Sequence, residues 1–186
     1  PMYSFTSEAF AHAFNHLHYG RKPGIPNTRP LVEFFNGMAR LRRKWLLRPN
    51  RSFKYTNLIY QSHFERVSCG GGVFSAISRT ILTRNLDVMM DVITNPSLRM
   101  ELVVVNDEYS TPLEVLGDYE FVATVDKLFS VWSYHNTDVG WSEHPSYANR
   151  HRQLLDPMME HRLCRDVSET VEYLKSLRSH LRRSPK

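Results

Sequence analysis

The chain has little cysteine, no long apolar run and no biased stretch apart from a basic end. Two cysteines, Cys69 and Cys164, form no disulfide framework, and such sparing use suits a reducing compartment, the cytoplasm or nucleus. No run of 18 apolar residues exists, so no transmembrane helix is expected. The opening stretch PMYSFTSEAFAHAF lacks a basic region ahead of an unbroken apolar core, so it does not read as a signal peptide. Cysteine and histidine are not spaced as a closed metal site, and no cofactor motif is present.

What is there reads as one folded domain of 186 residues, with 41% hydrophobic and 12% aromatic side chains. The net charge of +5 favours anionic partners without naming one. Residues 6–18 read as a helix with Thr6 or Ser7 as its cap. Two glycines and three prolines make 19–30 a loop. Residues 30–49 read as a second helix. Pro30 sits in its first turn and Pro49 stops it. Leu31, Phe34, Phe35, Met38, Leu41, Trp45 and Leu46 form one broad apolar face there. The segment 52–67 fits either a helix or a hairpin arm, and Gly70-Gly71-Gly72 breaks the chain. Residues 73–83 and 86–94 read as two short helices, and 111–116 and 120–129 as a second pair. Between them, ELVVVND is extended or a helix end. Residues 133–147 read as a loop, and helical spacing returns through Val171, Leu174, Leu177 and Leu181. The expected organisation is N-terminal helices at 1–55, a helix-pair region at 56–132, a loop at 133–149 and C-terminal helices at 150–186.

The two pairs repeat. Ser75-Ala76-Ile77 and Thr111-Pro112-Leu113 stand 36 positions apart, each before a short helix and a second apolar one. In the second copy Thr111 is suited to cap, Pro112 to open the helix and Leu113 to pack. This resembles the ankyrin repeat, with its TPL triplet and an earlier Asp, here Asp107. The pattern is degenerate: Glu114 replaces the usual His, Arg84 stands where the turn glycine belongs, and 95–105 is an insertion. The resemblance implies a mainly α fold with ankyrin-like helix pairs in the middle, acting as a non-catalytic scaffold or adaptor that binds another protein. It places contacts near Asp107, Glu108, Tyr109, Glu114 and around Ser75.

Two alternatives stand beside it. Arg40, Arg42, Arg43, Lys44, Arg48 and Arg51 fall within twelve residues, with Trp45 and Phe53 interleaved, a pattern that suits a nucleic-acid-binding protein docking phosphates on this basic face, or an acidic protein surface. Cys69, ahead of a glycine run and a helix start, is the weak candidate for a nucleophile activated by helix N–H groups. Other groupings read as structural. His12 and His16 share a helix face near His18 but lack a third ligand, and His161 with Cys164 is three residues apart by chance. Asp118, Glu120, Asp126 and Lys127 lack the order of a metal-dependent nuclease.

Overall fold

The structure, a computed structural model, describes residues 6–20, 24, 27–49, 54–107, 122–125, 129–134, 138–142, 153 and 156–183. Helices account for most of the regular structure, so the mainly α expectation holds. Helix α1 is Glu8–Tyr19 and α2 is Arg29–Leu46. Ser7 caps α1: its hydroxyl accepts the Phe10 N–H at 3.2 Å.

Strand β1 (Lys54–Tyr60) runs directly into α3 (Gln61–Ser68). The segment is thus half strand and half helix, but β1 is no hairpin arm: it pairs in parallel with residues 100–105 and antiparallel with the distant residues 122–124. Helix α3 stops at the glycines. Gly70 has a φ of 73°, and a Cβ there would meet Leu82 Cδ1 at 2.8 Å, so both conformation and space call for glycine. A 3₁₀ turn (Gly72–Ala76) leads to α4 (Arg79–Thr94), and strand β2 (Met100–Val105) follows. Strands β1 and β2 pair in parallel from Tyr55↔Met100 to Tyr60↔Val105, with α3 and α4 in the crossover.

The sheet continues on the other side of β1. Strand β3 (Val122–Val125) pairs antiparallel with β1, and β4 (Phe129–Tyr134) and β5 (Asp138–Ser142) follow in antiparallel order. The sheet order is β2-β1-β3-β4-β5. Helix α5 (Val167–Arg183) closes the described chain.

Several element assignments need correction. The two short helices expected across 73–94 are a 3₁₀ turn and one uninterrupted helix. The expected break at Thr83-Arg84-Asn85 fails because Asn85 is buried and its Oδ1 accepts the Ser7 N–H at 2.7 Å. A tertiary hydrogen bond thus removes the residue's reason to end the helix. The helix expected at 120–129 gives way to β3 over 122–125, where the β-branched sequence VATV suits a pleated ladder. The loop expected at 133–147 contains β5, whose sequence DVGWS alternates with period two. Thr111-Pro112-Leu113 lies outside the described residues.

One main core joins Phe10 of α1, Leu46 of α2, Tyr55 and Ile59 of β1, Leu86 and Met89 of α4, and Leu174 and Leu181 of α5. The proposed N-terminal, middle and C-terminal segments all contribute to it. The opposite face of β1 and β2 has its own cluster of Leu58, Val103, Val105 and Met158. Burial on both faces explains the unbroken apolar run in ELVVV, which no loop needs. The outer edge of β2 is covered as well: the Leu163 N–H donates to the Val104 carbonyl at 2.7 Å.

Candidate interaction surface on the second helix

Helix α2 carries more apolar side chains than one face can hold. Ala39 and Leu46 are buried, and Phe35 stacks on Tyr19 with ring centroids 3.9 Å apart. Asn15 Nδ2 donates to Asn36 Oδ1 at 2.8 Å, completing the contact with α1. These residues recur at helical spacing and fix which side faces inward.

The remaining apolar residues point elsewhere. Phe34 is 60% exposed, Met38 49%, Leu41 65% and Trp45 45%. Their spacing of four, three and four places them in one straight seam, about 130° around the helix from Ala39. The seam runs about 16 Å along the axis. The single broad core face expected here is therefore two stripes, of which one is solvent-facing. The signal was in the sequence: an apolar arc wider than one buried stripe, with a heptad seam inside it.

The basic cluster also divides. Arg40 and Lys44 are exposed and four apart, so they share a row alongside the seam, and Arg48 is exposed just past the end of α2. Arg40 Nε lies 4.0 Å from Glu8 Oε1. Arg43 turns the other way and donates to the Thr6 carbonyl. Burial lowers its pKa, partly offset by Glu8. Arg42 belongs to α2 by backbone, and Arg51 lies outside the described residues.

The contact residues drawn from the ankyrin resemblance fare differently. Glu108, Tyr109 and Glu114 lie outside the described residues, as do Asp118, Glu120, Asp126 and Lys127. Asp107 is occupied: its carboxylate accepts the Ser62 N–H at 2.9 and 3.2 Å, at the start of α3. An anion there complements the positive end of the helix. Ser75 is exposed in the 3₁₀ turn.

Cys69 does not meet the conditions for a nucleophile. It follows the C-terminal end of α3, and its N–H donates to the Glu65 carbonyl at 2.8 Å. Burial, then the nearby Glu65 charge, pushes its thiol pKa up. The expected activation by helix N–H groups is reversed because the cysteine sits at the wrong end of its helix. Cys164 is raised as well, again mainly by burial. Nearby, Tyr173 donates to Glu65 Oε1 at 2.8 Å, and burial followed by this carboxylate raises the phenol. For these three groups the folded state favours the neutral form. Their stabilising contribution is complete below the ordinary pKa values and is lost as pH rises past them. At pH 7, iodoacetamide is expected to alkylate Cys69 more slowly than free cysteine, and at the free rate once the chain is unfolded. Faster alkylation in the folded protein would reinstate the thiol as a reactive group.

Two of the N-terminal histidines have local neighbours. His12 Nε2 lies 3.6 Å from Glu8, and His18 stacks against Phe14 at a centroid distance of 5.7 Å. No group of three His, Cys, Asp or Glu residues placed to hold a metal ion occurs among the described residues. None of the described helices is long and apolar enough to cross a membrane. Comparison with protein-family models, with curated proteins and with solved structures finds no match to this chain.

Proposed function

We propose that this chain is a non-catalytic protein-interaction module that docks an acidic amphipathic helix along α2. The observation that carries this reading is the exposed seam of Phe34, Met38, Leu41 and Trp45. Its spacing matches the anchors by which one helix recognises another. Contiguous apolar patches of a few hundred Å² on a protein surface mark interaction sites.

Charge selects the occupant. Arg40 and Lys44 flank the seam and Arg48 follows just past the end of α2, whereas Glu33, the sole acid of α2, is paired with Arg29 at 2.8 Å. A second copy of the chain would bring the same cationic row and the same net charge of +5. A helix with acidic flanks meets complementary potential instead.

The magnitude is modest. Covering roughly 400 Å² of apolar surface at about 25 cal/mol per Å² contributes on the order of 10 kcal/mol before the costs of association. Those costs start at about 4 kcal/mol, leaving about 6 kcal/mol at most, so the seam supports binding in the range of tens of micromolar or weaker. The test is a titration with two synthetic helical peptides. Each carries leucine at positions i, i+4, i+7 and i+11; one has glutamate flanks and the other lysine flanks. The glutamate peptide is expected to bind about tenfold or more tightly than the lysine peptide, with the difference shrinking as salt screens the flanks. Equal binding of both removes the charge selection. Binding of neither removes the docking surface. A phosphate-driven nucleic-acid interface on the same row would instead show steep salt-dependent affinity for single-stranded DNA that the glutamate peptide does not displace.

A further inference from the structure

A second cationic surface lies away from the α2 seam. The N-terminal turns of α4 and the C-terminal turn of α5 enclose an open groove of about 420 Å³, lined by Arg79, Thr80, Thr83, Arg84, Asp87 and Arg182. Asp87 is the only acid of the lining, and it is already engaged: Arg178 Nη1 donates to its Oδ1 at 2.5 Å. Among the described residues, no carboxylate pairs with Arg84 or Arg182. Arg84 and Arg182, with Arg79 beside them, therefore line one open groove whose single carboxylate is neutralised from outside it. Like charges so arranged repel unless an anion joins them.

We propose that this groove binds the phosphate end of a small phosphorylated ligand. The guanidinium groups supply planar, paired donors that match phosphate oxygens. Thr80 and Thr83 add hydroxyl donors on the same side of α4, and the start of α4 contributes the positive end of its backbone dipole. The groove is open to solvent, so the remainder of such a ligand stays outside it. Arg178 Nε is buried without an acceptor at its edge, a further donor facing no protein partner.

The test uses pyrophosphate titrated into the full chain at constant ionic strength, read by calorimetry and by the rise in unfolding temperature. Saturable binding with a Kd of about 1 mM or tighter is expected. R84Q/R182Q is expected to weaken it by about tenfold or more, while the charge-keeping R84K/R182K retains most of it. R40Q/K44Q, on the α2 row, is expected to leave it unchanged. The four side chains are exposed, and unchanged unfolding without ligand confirms that each variant is folded. Absence of saturation, equal loss in both glutamine variants, or loss only in R40Q/K44Q overturns the site. So does a single-stranded oligonucleotide that binds the groove and that pyrophosphate fails to displace, because the ligand is then a polymer backbone.

Discussion

Replacing Phe34 and Leu41 together by glutamate is expected to lower affinity for the glutamate-flanked peptide at least about 100-fold while leaving the fold intact. Both side chains are more than half exposed, at 60% and 65%, so neither contributes much to the core. Glutamate is a good helix former, and exposed substitutions of this kind shift stability by about 0.5 kcal/mol or less. Binding is another matter. Each substitution removes an apolar anchor, Phe34 at the start of the seam and Leu41 near its middle, and puts a carboxylate against an acidic partner. Losing two such contacts costs about 3 kcal/mol or more, which is the 100-fold. The measurement is peptide titration alongside circular dichroism and thermal unfolding of the variant. Undiminished binding with an intact fold would show that the peptide sits elsewhere. A variant that instead loses self-association by sedimentation would assign the seam to a second copy of the chain. Phe34→Ala with Leu41→Ala separates lost contact from added charge: it removes the anchors without the repulsion, so its loss is expected to be smaller.

Local signals in this sequence were legible where local physics decides. Ser7 caps α1, Pro30 falls at the start of α2, and Leu174, Leu177 and Leu181 of α5 are buried at helical spacing. The sheet was legible at ELVVV and, as one of two readings, at 52–67. Its strands rely on pairings between distant segments, such as Tyr55 with Met100 and Ala123, and no local period announces a partner. Asn85 shows the same effect in reverse: a residue that ends helices in isolation is held inside one by Ser7, 78 positions away. The site was half legible. Apolar and basic positions on α2 were readable from spacing. Which apolar stripe faces α1 and which faces solvent depends on Asn15, Tyr19 and the rest of α1, and so on the assembled fold. Cys69 failed for a related reason: a glycine run marks a helix end but does not say which end the thiol sits beside.

Replacing Asn57 by valine is expected to raise stability by about 2 kcal/mol, moving the unfolding midpoint up by about 4–8 °C for a chain of this size. Asn57 is 1% exposed in β1, between β2 and β3. It alternates with Leu58 and shares the main-core side with Tyr55 and Ile59. Among the described residues, neither its amide oxygen nor its amide nitrogen has a hydrogen-bond partner. Burying such groups unpaired costs about 1–3 kcal/mol by mutational measure. Valine removes both polar atoms, adds apolar contact and is β-branched, which suits a central strand. Its similar size avoids the strain of a longer side chain. Asn85 supplies the internal contrast. It is equally buried, but its Oδ1 accepts the Ser7 N–H at 2.7 Å. Asn85→Val leaves that N–H orphaned, so the same chemical change is expected to destabilise by about 1–3 kcal/mol. Opposite signs from two buried asparagines, read by urea unfolding of the full chain, would tie the effect to hydrogen bonding rather than to residue type. A destabilised Asn57→Val would mean that the Asn57 amide holds a bound water whose hydrogen bonds outweigh the burial of two polar atoms.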